Sequence, residues 1–174
     1  PLLSEVLDTT GEIDLMYKIL FKETYPSWFY SINNGATTTW ERWNSYSLED
    51  GFNPQGMNSL NHYAYGSVSR WFYEGILGIN AKTAGFKTIT IEPQIGGPLQ
   101  NASGFYDTPQ GRVSVAWQRS DDTTAISISI PKNTTADFVL PADTRIVMNG
   151  TEVKDQSTLR NVMPGTYSIS LTKL

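Results

Sequence analysis

The chain of 174 residues has no cysteine and a single histidine. Disulfides, thiol nucleophiles, thiolate metal sites and multi-histidine metal sites are thereby excluded. Positive charge is sparse: 13 Lys and Arg face 17 Asp and Glu, the net charge is −4, and the basic residues form no cluster. The electrostatic footprint of a nucleic-acid binder is missing, so no nucleic-acid partner is expected. No apolar run approaches the roughly 20 residues a membrane span needs. The opening Pro1-Leu2-Leu3-Ser4 has neither an initiator methionine nor a basic signal region, so the chain reads as a cut from something longer. Sequons at Asn101, Asn133 and Asn149 matter only in a eukaryotic secretory pathway, and the compartment stays open among periplasmic, extracellular and cytoplasmic.

What is present is unevenly distributed. Most aromatic residues, and every tryptophan except Trp117, precede position 81, where acids also outnumber bases. The expected division is a helical part over residues 1–80 and a β domain over 81–174, with Gly78 to Gly85 as the hinge. Around residues 12–22, Leu15, Ile19 and Lys22 share one helical stripe and Ile13, Met16 and Leu20 the next, between opening acids and closing lysines. Tyr25-Pro26 ends that helix, and Ser27 to Ile32 reads as a short second one stopped by Asn33-Asn34-Gly35. Residues 35–43, with their β-branched run and glycine, read as an extended loop. A long helix is expected from a cap at Asn58 or Ser59 through Leu77, with Gly78 as its stop.

From Phe86 the apolar period becomes two. Thr88–Ile91, Val113–Trp117, Ala125–Ile130, Phe138–Leu140, Ile146–Met148 and Tyr167–Leu171 are bounded by turn residues, and Asn149-Gly150 is a hairpin signal. An antiparallel β-sandwich is predicted, with Val113, Val115 and Trp117 on one inward face.

Two residues could carry chemistry. Glu41 lies between Trp40 and Arg42-Trp43; indole faces stack on sugar rings, and a carboxylate accepts protons from water or hydroxyls. An Arg-paired structural acid among core tryptophans explains the same pattern equally well. His62, expected in the first turn of the long helix, shares a face with Gly66, Ser69 and Tyr73, which would leave a small-residue groove. A hydrogen-bonded core histidine is the competing reading. Gly-x-Ser-x-Gly, metal, phosphate and dinucleotide motifs are all missing, and no cofactor is expected.

Taken together, Gly35 to Trp43 with its Thr-x-Trp-Glu-x-Trp, then Ser59 to Val68 with Asn61-His62, then Pro131 to Ala136 before Leu140-Pro141, resemble the C-terminal third of bacterial α-L-rhamnosidases, glycoside hydrolase family 78. The resemblance implies the last helices of an (α/α)6 barrel followed by a β-sandwich. It also implies removal of terminal α-L-rhamnose from a glycan or glycoside by inversion, in which an acid protonates the leaving oxygen and a base activates water. Glu41 matches the family's general base and His62 a residue contacting rhamnose, with Trp40 and Trp43 as further substrate contacts. Nothing in the chain matches the family's general acid, so the remainder of the catalytic barrel is an implied partner and this chain alone is expected to be inactive. The alternatives are a carbohydrate-binding or structural sandwich module, and a helical-barrel hydrolase for another sugar.

Overall fold

The computed structural model describes residues 2–154 and 157–174 and contains two compact units, residues 2–71 with Gly96–Pro98 and residues 72–95 with 99–174. The first unit contains α1 (Leu2–Thr9), α2 (Ile13–Leu20), α3 (Trp28–Asn33), the two-stranded hairpin β1 (Tyr46–Ser47) and β2 (Gly51–Phe52), α4 (Tyr63–Gly66) and α5 (Ser69–Trp71). Helix α2 forms where the apolar periodicity predicts it. It buries Met16, Tyr17 and Leu20, whereas Leu15 remains exposed. Ser27 caps α3, its side chain accepting from the Tyr30 N–H at 2.9 Å. The core of this unit mixes the aliphatic Leu7, Leu20 and Val68 and Met16 with the aromatic Tyr17, Trp40 and Trp71. Tyr17 meets Trp71 edge to face at 5.1 Å, and Phe21 stacks on Phe29 at 5.4 Å. Gly97, at φ 56°, lies so close to Tyr17 that a Cβ there would come within 2.4 Å of the ring, which gives the Gly96-Gly97-Pro98 loop a packing role.

The single long helix expected over 58–77 is not formed. Residues 58–61 are non-helical, α4 starts only at Tyr63, and the chain passes through bonds of three-residue spacing (Val68 N–H to Tyr65 O, Trp71 N–H to Val68 O) into a π-helical turn over Phe72–Ile76. Gly66, Val68 and Gly75 are weak helix formers, and the backbone of 59–62 is committed elsewhere. The expected groove shared by His62, Gly66, Ser69 and Tyr73 is therefore not built. A Cβ on Gly66 would meet Thr39 Oγ1 at 3.4 Å, and Tyr73 pairs with Tyr106 in the second unit. The expected stop at Gly78 is present at φ 69°, where a Cβ would lie 2.2 Å from the Glu92 backbone.

The second unit is a β-sandwich. One sheet has the order β10 (Thr151–Val153), β9 (Thr144–Met148), β12 (Gly165–Lys173), β7 (Thr123–Ile130), β6 (Gly111–Arg119), β5 (Asn101–Thr108); the other has β11 (Thr158–Val162), β8 (Thr135–Val139), β4 (Thr88–Ile91), β3 (Ile79–Ala81). Alternation buries Val113, Val115 and Trp117 on β6, Ile126, Ile128 and Ile130 on β7, and Ile169 and Leu171 on β12, against Ile89, Ile91, Ala136 and Phe138. Phe138 meets Tyr167 edge to face at 5.4 Å across the two sheets. Each such side chain contributes roughly 1.5–3 kcal/mol on full burial. Trp117 also donates its indole N–H to the Ile76 carbonyl at 2.8 Å, so the turn preceding β3 is tied to the sheet. Asn149 and Gly150, at φ 49° and 81°, form the predicted hairpin between β9 and β10. The pairing is not antiparallel throughout. Strands β4 and β8 run parallel, because the chain leaves β4, lays down β5, β6 and β7 in the other sheet, and returns in the same direction.

Asp137 is a buried carboxylate in this unit. It accepts from Lys82 Nζ at 2.5 Å and from the Asn161 N–H at 2.9 Å, and both bonds hold its carboxyl below the ordinary carboxylate range. Because ionised Asp137 is favoured in the folded state, its contribution is complete above the unfolded pKa of about 3.9 and is lost as pH falls through the lower folded value. Asp137→Asn should destabilise the protein at pH 7 by about 1–3 kcal/mol. Urea titrations repeated at falling pH should show the gap to wild type closing below pH ~4.

Candidate functional site

The two candidate residues are positioned by a pair of backbone segments rather than by a helix. The Glu41 N–H donates to the Ser59 carbonyl at 2.9 Å, and the His62 N–H donates to the Thr39 carbonyl at 2.7 Å. Thr38 Oγ1 also donates to the Leu60 carbonyl. Residues 38–41 and 59–62 are thus laid side by side, which satisfies their main-chain groups where helix bonds would otherwise be required.

Within this arrangement the Ser59 N–H donates to Glu41 Oε2 at 2.8 Å. Among the described residues Oε1 accepts no hydrogen bond and Glu41 forms no ion pair. Arg42 does not neutralise it: its guanidinium reaches Gln55 Oε1 at 2.6 Å and the Gly56 carbonyl at 3.3 Å. The Arg-paired structural acid is therefore not what forms. A half-buried carboxylate with one oxygen anchored and the other free can accept a proton from a water placed beside it.

His62 is the N-cap of α4, its Nδ1 accepting from the Ala64 N–H at 3.2 Å. A ring that accepts at Nδ1 carries its proton on Nε2, which makes that edge a donor for a hydroxyl. Its ring is stacked 5.2 Å from that of Tyr63, which is 85% exposed. The caps expected at Asn58 and Ser59 are not made. Ser59 Oγ instead accepts from the Asn61 N–H at 3.2 Å, and Asn58 donates to the carbonyls of Ser45 and Asn53.

Trp40 is buried, edge to face with Tyr46 at 6.3 Å, and Trp43 stacks on Tyr65 at 3.9 Å while meeting Trp28 edge to face. Both tryptophans line a cleft of about 250 Å³ with Trp28, Thr37, Thr39 and Tyr65, and neither Glu41 nor His62 is part of that lining. Two larger clefts, about 1000 Å³ around β1 and β2 and about 460 Å³ around Asp121 and Asp122, contain none of the four residues, and a third of about 470 Å³ is lined by Trp43 with Trp28 and Tyr65 but by none of the other three. The structure therefore places Glu41 and His62 on adjoining backbone segments, places Trp40 and Trp43 along one cleft, and does not gather all four in one cavity. Trp28 and Tyr65 complete the aromatic stack, and no motif marks Trp28 for that place. The alternating aromatics of His62-Tyr63-Ala64-Tyr65 were the signal for the second of them.

Glu41, with no ion-pair partner among the described residues, and the capping His62 thus lie on paired segments of an aromatic-rich helical unit that a β-sandwich follows in sequence. Residues 1–76 match the family described as the bacterial alpha-L-rhamnosidase 6 hairpin glycosidase domain, and residues 78–155 match the bacterial alpha-L-rhamnosidase C-terminal domain. The chain is 60% identical over 147 residues to an alpha-L-rhamnosidase of Alteromonas sp. (strain LOR), covering 84% of this chain and 16% of that protein. It is 52% identical over 180 residues to one from Formosa agariphila, covering 96% of this chain and 19% of that protein. Among solved structures, the Streptomyces avermitilis alpha-L-rhamnosidase complexed with L-rhamnose superposes with a TM-score of 0.86 at 37% identity, over 95% of this chain and 17% of that one. The chain belongs to the bacterial α-L-rhamnosidase family, and it spans less than a fifth of the length of these relatives rather than a third. No helix among the described residues is long and apolar enough to cross a membrane.

The double use of His62 can be separated by substitution. His62→Ala should lower stability by about 0.5–2 kcal/mol through loss of the cap, while His62→Asn, a strong capping residue, should restore most of it. Thermal unfolding of the two variants beside wild type measures the difference.

Proposed function

We propose that this chain supplies the C-terminal part of a hydrolase that removes terminal α-L-rhamnose from glycans or glycosides with inversion, and that Glu41 is its general base. The observation that carries this reading is the Glu41 carboxylate, held at Oε2 by the Ser59 N–H, free at Oε1 and without a cationic partner among the described residues. Anchoring one oxygen fixes the direction of the other, and a free lone pair is what deprotonation of an attacking water requires. His62 would donate from Nε2 to a rhamnose hydroxyl, and the L-rhamnose named in the Streptomyces avermitilis structure supports that sugar as ligand. Trp40 and Trp43, whose rings are engaged by Tyr46 and Tyr65, would act on the sugar indirectly, by bracing the segment that carries Glu41.

Inversion needs a second carboxyl group roughly 6.5–9.5 Å from the base to protonate the leaving oxygen. We assign that acid to the part of the catalytic barrel outside this chain.

In a polypeptide with the complete six-hairpin domain, Glu41→Gln should lower kcat by about 10²–10⁴ while L-rhamnose binding is retained, because the amide keeps the shape and loses the base. Both His62→Ala and His62→Asn should weaken L-rhamnose binding by about 1–3 kcal/mol in calorimetric titrations, although only the first loses the cap. Near-normal turnover in Glu41→Gln would assign the base elsewhere.

The 174-residue chain by itself should release no aryl group from an activated aryl α-L-rhamnoside. A good leaving group relaxes the need for the acid, so turnover by this chain that disappears in its Glu41→Gln variant would overturn the assignment of the acid to another segment.

A further inference from the structure

We propose that Asn58 is a positioning residue for Glu41, acting through the Ser59 N–H; the inference rests on the reading of Glu41 as the general base. Glu41 is tied to its surroundings at two points. On one side it is covalently joined to Arg42, whose N–H donates to Ser45 Oγ at 3.1 Å, while the Ser45 N–H returns to the Arg42 carbonyl at 3.2 Å. On the other side its carboxylate and its own N–H are both bonded to Ser59. Asn58, the residue before Ser59, joins the two sides: its Nδ2 donates to the Ser45 carbonyl at 3.0 Å and to the Asn53 carbonyl at 3.2 Å. The result is a closed ring through residues 41, 42, 45, 58 and 59, with Ser45 fully buried at its centre.

Only the donor half of the Asn58 amide is used. Its Oδ1 is buried and has no hydrogen-bond partner among the described residues. Both Nδ2 hydrogens converge on carbonyls of the 45–53 segment, so the amide sets the distance between that segment and the Ser59 N–H. Without it, the donor that aims the carboxylate is anchored by one side only.

The experiment uses a polypeptide with the complete six-hairpin domain and reads kcat, KM, the L-rhamnose Kd and the melting temperature. Asn58→Leu removes both donors at similar volume, and Asn58→Ala removes them without adding bulk. Each is expected to lower kcat by about 10- to 100-fold, the scale of a misplacement near 1 Å, with KM and Kd close to wild type. The double variant Glu41→Gln with Asn58→Leu should be no slower than Glu41→Gln alone, because a residue that acts only through Glu41 has nothing left to position. Should Asn58→Leu fail to fold, Asn58→Ala decides the question.

Wild-type kcat in both ring variants beside an inactive Glu41→Gln would overturn the positioning role and leave the general base in place. Additive losses in the double variant would overturn it as well, by assigning Asn58 a role independent of Glu41. A fully active Glu41→Gln would overturn both readings together.

Discussion

The exchange of backbone hydrogen bonds between residues 39–41 and 59–62 is the constraint on which the candidate site depends. Glu41 bonds to Ser59 through main chain and side chain alike, and His62 bonds to Thr39. Because these bonds take up the main chain of 59–62, a helix cannot begin at Asn58, and His62 becomes the first residue free to act as a cap. A pairing of loops thus decides both where the carboxylate points and which ring nitrogen of the histidine is left to donate. Loops held by a rigid frame are where binding and catalytic groups concentrate.

Aromatic packing supplies that frame. Trp28 donates its indole N–H to the Tyr65 carbonyl at 3.0 Å and meets Trp43, which stacks on Tyr65 in turn. The same indoles that make Trp-Glu-x-Trp look like a sugar platform are engaged by other rings, Trp40 by Tyr46 and Trp43 by Trp28 and Tyr65. Their contribution is to hold the segment bearing Glu41 in place, and it is structural before it is chemical.

The sandwich is stabilised by different means. Its core is mostly aliphatic and period-two, and its buried carboxylate Asp137 bonds to Lys82 and the Asn161 backbone rather than to any site residue. Breaking such a buried pair is costly while the pair itself adds little. Asp137 is accordingly read as a structural clamp, although a perturbed carboxylate is a common mark of functional sites.

Much of this was legible in the sequence. The alternation of Val113, Val115 and Trp117 specifies a buried face because side chains on a strand change sides at every residue, and Asn149-Gly150 specifies its turn because both positions need positive φ. The motif around Glu41 and His62 pointed to the family. Tertiary structure alone decided the rest. Local propensity could not reveal that 59–62 pair with a distant segment instead of starting a helix, nor that Arg42 turns to Gln55 and leaves Glu41 free, since both depend on contacts between residues 13 to 23 apart. The parallel pairing of β4 with β8 was equally hidden, because strand direction is set by the path of the intervening chain and not by the pattern of either strand.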